Sequence, residues 1–295
     1  MLVSVLMPVY NEKKYIKEAL DSVLSQELEY DLEIIVVDDF STDGTYEYVK
    51  ELYENEPRIE LFRNTKKGKN NAFNFAYEKA KGDFFILFAG DDILEPNTLQ
   101  KRIKPLENKK NPTITLCKLR TFSKIKKYDG IINPRSPKKG ELSGGCMAMN
   151  RNFIKKAFPL PNVLANEDMW LVNHAKYFND VEIIHVPIIG INYRIHENNS
   201  SSKTDPFYKK TASMHNRFIV YSVFLEKYRK KLDKKAIKEL ETLAAAETLR
   251  YHGDWLSILL MKGLSLADRA RFIMHSNAFF YWIRIQLFAL LSGRG

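Results

Sequence analysis

Val3 to Val9 is a short, nearly continuous apolar run, the pattern of a strand buried on both faces of a parallel sheet. Pro8-Val9-Tyr10-Asn11-Glu12 closes it, and Asn11 is placed to cap a helix in which Tyr15, Ile16, Ala19, Leu20, Val23 and Leu24 recur at helical spacing. Leu32 to Val37 repeats the pattern and closes on Asp38-Asp39-Phe40-Ser41-Thr42-Asp43-Gly44-Thr45, with a helix from Thr45 to Leu52. Ile59 to Phe62 predicts a third strand. The basic loop Lys66-Lys67-Gly68-Lys69-Asn70-Asn71 follows, then a helix ending near Gly82. Such a loop before a helix start suits anionic oxygens, and suits equally a solvated turn. A fourth apolar run, Phe84 to Phe88, breaks off in Ala89-Gly90-Asp91-Asp92. Repeated strand-helix units of this kind predict a doubly wound, mostly parallel α/β sheet.

The paired acids at the end of the fourth strand have two readings. Beyond the strand ends of an open α/β sheet lies the crevice where ligands bind, and adjacent carboxylates there repel unless a divalent cation relieves them. Alternatively, Asp92 caps a helix begun by Pro96. From Pro105 to Leu142 the chain is basic and irregular, with Ile114 to Leu119 predicting a strand within it, and Val181 to Ile191 predicts another. Leu142-Ser143-Gly144-Gly145-Cys146 leads into another strand, its glycines permitting either close approach of a ligand or a simple bend. Asn166-Glu167-Asp168-Met169-Trp170-Leu171 opens a helix, where acids serve commonly as caps and dipole partners.

From Tyr208 the chain reads as helices: Tyr208 to Arg229, Lys234 to His252, Trp255 to Lys262, Leu266 to His275 and Ala278 to Leu291. The last holds Phe279, Phe280, Tyr281, Trp282 and Ile283 beside basic neighbours, yet is too short for the roughly 20 apolar residues of a bilayer span. It suits a helix lying on an anionic membrane surface, or one buried against the domain or in a dimer. Domains of 1–205 and 206–295 are expected.

The chain has 295 residues, 45% of them hydrophobic, enough for a full core. Its two cysteines, Cys117 and Cys146, make neither a disulfide framework nor a metal cluster. With no leader-like start, the expectation is a cytoplasmic protein, peripheral at most on the inner face of the cell membrane. The formal charge of +10 favours polyanionic partners. No zinc-finger spacing or RNP-like sequence accompanies it, so nucleic acid is not expected. Neither a GxGxxG fingerprint nor a P-loop follows the first strand, which argues against dehydrogenases and P-loop NTPases.

Pro8-Val9-Tyr10-Asn11-Glu12, then Val36-Val37-Asp38-Asp39 with Ser41-Thr42-Asp43-Gly44-Thr45, then Gly90-Asp91-Asp92 resemble the nucleotide-sugar half of family 2 glycosyltransferases of GT-A fold, over about residues 1–203. The resemblance implies that Pro8, Tyr10, Asn11 and Glu12 line a nucleoside pocket and that Asp39 meets the base, often uracil. It implies that Gly90, Asp91 and Asp92 stand at the metal and diphosphate, with Asp91 a ligand of Mg²⁺ or Mn²⁺. Two positions depart from the family. Ala89 replaces the first acid of its DXD motif, and Ala72-Phe73-Asn74 stands where Ala-Arg-Asn is frequent, leaving Lys69 to supply the charge beside Asn74. The resemblance further places Gly144, Gly145 and Trp170 near the sugar and acceptor, Asp168 as general base with Glu167 its competitor, and Arg194 and His196 at the diphosphate, His196 also as a metal ligand.

Together these readings imply an inverting, nucleotide-sugar-dependent transferase, using a UDP-sugar and a saccharide or lipid-linked acceptor in the synthesis of a bacterial surface glycan. A nucleotidyltransferase, or a nucleotide-sugar-binding membrane scaffold without turnover, are the alternatives.

Overall fold

The computed structural model describes residues 1–196 and 205–291, and the chain divides into two compact units, Met1–His196 and Glu197–Gly295. In the first, β1 (Leu2–Val9), α1 (Ile16–Leu24), β2 (Asp31–Asp38), α2 (Thr45–Tyr53), β3 (Ile59–Arg63), α3 (Lys69–Lys79) and β4 (Phe84–Leu87) alternate as their hydrophobic periods require. They are followed by β5 (Ile93–Leu94), α4 (Leu99–Ile103), β6 (Thr113–Ser123), β7 (Ile132–Asn133), β8 (Met147–Asn150), α5 (Arg151–Ala157), α6 (Asp168–Tyr177) and β9 (Glu182–Ile195).

The sheet runs β3-β2-β1-β4-β8-β6-β9-β5, with β7 paired to β6. Its first four strands are parallel, and β6 and β9 are parallel to each other over most of their length. Strand β8 enters between β4 and β6 antiparallel to both. Val3, Val5, Met7, Ile34, Val36 and Ile86 form the sheet side of the core, onto which α1 lays Ile16, Ala19, Leu20 and Val23. The chain moves outward from β1 to β3, then returns to the other side of β1 as β4. The reversal makes a crevice beyond the carboxyl ends of β1 and β4, the place where open α/β sheets bind ligands. Register aligns those ends: Val9 lies opposite Asp38, and Leu6 opposite Leu87. Tyr10 to Glu12, Asp39 and Gly90 to Asp92 therefore leave the sheet along one edge.

Two local expectations are corrected. Asn11 does not cap α1, whose first turn follows Tyr15. It takes φ +56°, a left-handed conformation that Asn tolerates, and its side chain turns toward the β2–α2 loop. Asp92 caps no helix either, because β5 follows it directly and α4 starts only at Leu99 after Thr98.

In the second unit, α7 (Phe207–Phe218), α8 (Val220–Tyr228), α9 (Lys234–Tyr251), α10 (Trp255–Leu260), α11 (Leu266–Ile273) and α12 (Ala278–Leu291) follow in order. The single helix expected from Tyr208 to Arg229 is two, joined at Ile219. Asp233, Asp254 and Ser265 cap the starts of α9, α10 and α11 with their side chains. Arg250 is fully buried, its charge held by Glu247 and its remaining donors by Thr211 and the His275 carbonyl. No described helix is long and apolar enough to cross a membrane.

Candidate active site

The β1–α1 and β2–α2 loops are laced together. The Asn11 N–H donates to Ser41 Oγ at 2.9 Å, and Asn11 Oδ1 accepts from the Thr42 N–H at 2.8 Å. The N–H groups of Glu12 and Lys13 donate to Thr45 Oγ1 and Asp43 Oδ2. Pro8, half-buried, lies opposite Val37 in the parallel register, and Tyr10 is 46% exposed, with the Lys67 ammonium 5.0 Å from its ring centre. Asp39 is buried, and its carboxylate accepts from the Asn64 amide and the Gly68 N–H, so the strand end and the glycine loop are tied through one side chain.

At the end of β4, Gly90 is packed so closely that a Cβ there would come within 3.0 Å of Val9 Cγ1 and 3.2 Å of Glu12 Cγ. That closeness brings the acids together. Burial, then the charges of Asp91 and Asp43, push the Glu12 carboxyl up to about 8 against the opposing Arg194. Burial and the neighbouring Asp91 likewise hold Asp92 well above the ordinary range, although it accepts the Arg194 N–H at 2.9 Å. Asp91 Oδ2 lies 3.0 Å from His196 Nε2. The His196 ring in turn sits 5.0 Å from that of Tyr15.

Arg194 does not present a free fork to phosphate, contrary to expectation. Its Nε donates to the Asp91 carbonyl at 2.7 Å, its Nη2 to Glu18, and its guanidinium lies 4.5 Å from the ring centres of both Tyr15 and Phe122. It fixes the backbone of Asp91. The family resemblance has the run from Tyr193 to Ser200 fold back over the diphosphate, and its residues 197–200 lie outside the described residues.

The other wall is built by α3. Asn70 Nδ2 donates to the carbonyls of Pro161 and Leu164, and Asn74 exchanges two hydrogen bonds with the backbone of Leu160. Asn74 is thus consumed in holding the segment before α6 rather than offered to a ligand. Lys69 Nζ donates to Glu167 Oε1 at 3.0 Å. Half of the Lys69 side chain meets solvent. Burial opposes its charge, but Glu167, Asp168 and Asp91 outweigh that and raise its pKa. Burial raises Glu167 as well, while Lys69 pulls it back. Its Oε2 is buried with no partner among the described residues.

Asp168, at the first turn of α6, is half-buried and accepts the Gly144 N–H at 2.9 Å. A Cβ on Gly144 would lie 2.7 Å from Asp168 Oδ1, so this contact requires glycine. Gly145 is held from behind, its carbonyl accepting from the fully buried Arg102 at 3.0 Å. Trp170 does not face an acceptor. It is fully buried, and its Nε1 donates to the Ala157 carbonyl at 2.7 Å. Asn70 and Arg102 were missed from sequence. Asn70 and Asn74, four apart on one face of α3, were the available signal; Arg102, one cation among many, carried none.

Among the described residues no three His, Cys, Asp or Glu side chains gather to hold a metal. Asp91 and His196 supply two facing donors. A divalent cation bound through one or two protein groups and completed by substrate phosphates and water fits that set.

The model of the family described as Glycosyl transferase family 2 matches residues 4–158, more than half the chain. The chain belongs to glycosyl transferase family 2. This family 2 enzyme is 29% identical over 222 residues to an uncharacterized glycosyltransferase of Haemophilus influenzae, covering 68% of each chain. It is 38% identical over 103 residues to a chondroitin synthase of Pasteurella multocida, covering 35% of this chain but only 11% of that one. Among solved structures, S. aureus TarS 1-349 in complex with UDP-GlcNAc superposes with TM-score 0.59 at 21% identity, covering 95% of this chain and 83% of that one. The mannosyltransferase PcManGT of Pyrobaculum calidifontis, in complex with GDP-Man and Mn²⁺, gives TM-score 0.59 at 18% identity over 99% and 85% of the two chains. The fold is the expected GT-A arrangement, and the chain spans only about a tenth of the length of the chondroitin and hyaluronan synthases of Pasteurella multocida that it matches.

Proposed function

We propose that this enzyme transfers a sugar, with inversion at the anomeric carbon, from a UDP-sugar to a hydroxyl of a saccharide or lipid-linked acceptor in surface-glycan synthesis. One observation carries the reading: Lys69 Nζ donates to Glu167 Oε1 at 3.0 Å, beside Asp168, and the same ammonium feels the charge of Asp91. That proximity supports a reading in which Asp91 serves the donor side and Glu167 and Asp168 the acceptor side of one displacement.

In this reading Tyr10 offers its exposed ring to the base, and Asp39, oriented by Asn64 and Gly68, keeps acceptor capacity on Oδ2 for a base N–H. Asp91 and His196 would hold a divalent cation, which when bound would supply positive charge to stabilise the diphosphate. Asp168 takes the acceptor hydroxyl proton. The freed oxygen pair forms the new bond to the anomeric carbon while the bond to phosphate breaks and its electrons leave with UDP. Lys69 stabilises the charge that develops there. Asp168 is favoured over Glu167 as base because Glu167 is buried and engaged by Lys69, whereas Asp168 is half-exposed and positioned by Gly144. The UDP and UDP-GlcNAc complexes of TarS support the uridine nucleotide.

The test is a thermal-shift screen of UDP- and GDP-sugars with and without Mn²⁺, followed by UDP release and NMR of the product anomer. A UDP-sugar shift that depends on Mn²⁺, with an inverted product, is expected. A shift with GDP-mannose alone, or retained configuration, overturns it.

A further inference from the structure

In α10 only Ile258 is buried. Trp255, Leu256 and Leu260 are 39%, 52% and 72% exposed, Leu266 at the start of α11 is 82% exposed, and Phe279 and Trp282 of α12 are 63% and 58% exposed. The usual pattern of a surface helix is apolar inward and polar outward. Here α12 turns Tyr281 inward, its hydroxyl donating to the Asp205 carbonyl at 2.9 Å, while its outward face is mainly apolar. The helices are joined by their rings: Trp255 meets Phe280 at 5.4 Å, and Phe280 meets Phe279 at 5.5 Å. Of the twenty exposed large hydrophobic side chains among the described residues, ten lie between Tyr251 and Leu287. Single exposed apolar residues need no explanation, but a concentration of this kind marks a docking surface.

The charge of the same segment selects the occupant. Residues 206–295 contain sixteen Lys and Arg but seven Asp and Glu, so they carry +9 of the formal +10 and leave residues 1–205 at +1. Lys210 of α7 is held below the ordinary lysine range by burial and then by Arg284 of α12, with Asp205 opposing and Arg217 adding to the effect. A second copy of this chain would bring +9 against +9. An anionic bilayer instead offers acyl chains to the apolar side chains and negative headgroups to the cations, and Trp and Tyr favour that boundary. Helix α12, 14 residues and thus about 21 Å long, falls short of the roughly 30 Å hydrocarbon core, so it lies in the plane.

We propose that the outward face of α10, the start of α11 and α12 docks on an anionic lipid bilayer, with Trp255, Leu260, Leu266, Phe279 and Trp282 entering the headgroup boundary.

The experiment is flotation of the full chain with vesicles of phosphatidylcholine alone or mixed with phosphatidylglycerol. Binding to the mixed vesicles is expected, with partitioning at least about tenfold weaker to the neutral ones and weakened by added salt. The double variant Leu260→Asp/Trp282→Asp, at exposed positions, should lose about tenfold or more while its thermal midpoint and UDP release stay unchanged. A second readout needs no variant. Trp170 is fully buried, so a vesicle-induced blue shift of tryptophan emission reports Trp255 and Trp282. Absence of both binding and blue shift with anionic vesicles overturns the proposal. So does a double variant that binds as the wild type does, or a concentration-dependent dimer on gel filtration that the double variant dissolves.

Discussion

Lys69 and Glu167 stand 98 residues apart in the chain, and their ammonium and carboxylate meet at 3.0 Å. The pair joins the glycine loop after β3 to the helix start that presents Asp168. A carboxylate as buried as Glu167 requires such a partner, since an isolated charge there would be neutralised by uptake of a proton.

Removing the cation should therefore disturb both stability and turnover. Lys69→Met is expected to lower stability by about 1–3 kcal/mol, the usual cost of a buried polar group left unpaired, and to reduce turnover by roughly tenfold or more. Urea midpoints of Lys69→Met, Glu167→Gln and the double variant form a cycle. The double variant should be more stable than Lys69→Met alone. Strict additivity would show that the pair is not coupled.

Asp168→Asn keeps the hydrogen bond from Gly144 and removes the basicity. Turnover should drop by roughly 10²- to 10⁴-fold with donor affinity nearly unchanged, the pattern of an interaction used in the transition state. Glu167→Gln, in the same UDP-release assay, should cost less. The reverse ranking would transfer the base to Glu167.

Asp91→Asn should abolish the Mn²⁺-dependent part of donor binding, measured by calorimetry with and without the metal. Ala89→Asp restores a second acid near the site and should tighten metal binding, because each added carboxylate strengthens attraction for a hard cation. Equal donor affinity of Asp91→Asn and wild type in Mn²⁺ would reject the assignment.

In the helical unit, the His275 Nδ1–H donates to the Arg271 carbonyl, and the ring is held at about 4 by burial, opposed by that hydrogen bond and reinforced by Arg284, Lys210 and Arg250. Its folded value lies below the unfolded 6.5. The unfolded chain binds the proton more readily, so stability is full above pH 6.5 and declines as pH falls toward 4. Thermal midpoints across that window should fall for the wild type and less steeply for His275→Asn, whose amide can still donate to the Arg271 carbonyl.

The β-α alternation of the first part was legible because each strand is a continuous apolar run and each early helix carries a regular stripe. Strands β5 and β7 were not, since two residues show no period. Asp91 and Asp168 were legible as acids at a strand end and a helix start. Which polar groups were already committed was not: Trp170 and Asn74 look like ligand contacts in one dimension, and only packing reveals that their donors are spent on the backbone of Ala157 and Leu160. Arg194 was misread for the same reason, because the two rings that flank it, Tyr15 and Phe122, are far from it in sequence.

The lacing between residues 11–13 and 41–45 has a bearing on how such a chain can change. Each of the four hydrogen bonds has one end in each loop, so neither loop keeps its shape when the other is replaced. Grafting a foreign segment in place of Ser41 to Thr45 would leave the N–H groups of Asn11, Glu12 and Lys13 without their acceptors. A changed pair of loops can thus be inherited only as a two-piece module, and chimeras with their crossover between them should fold poorly where those that carry both pieces together should not.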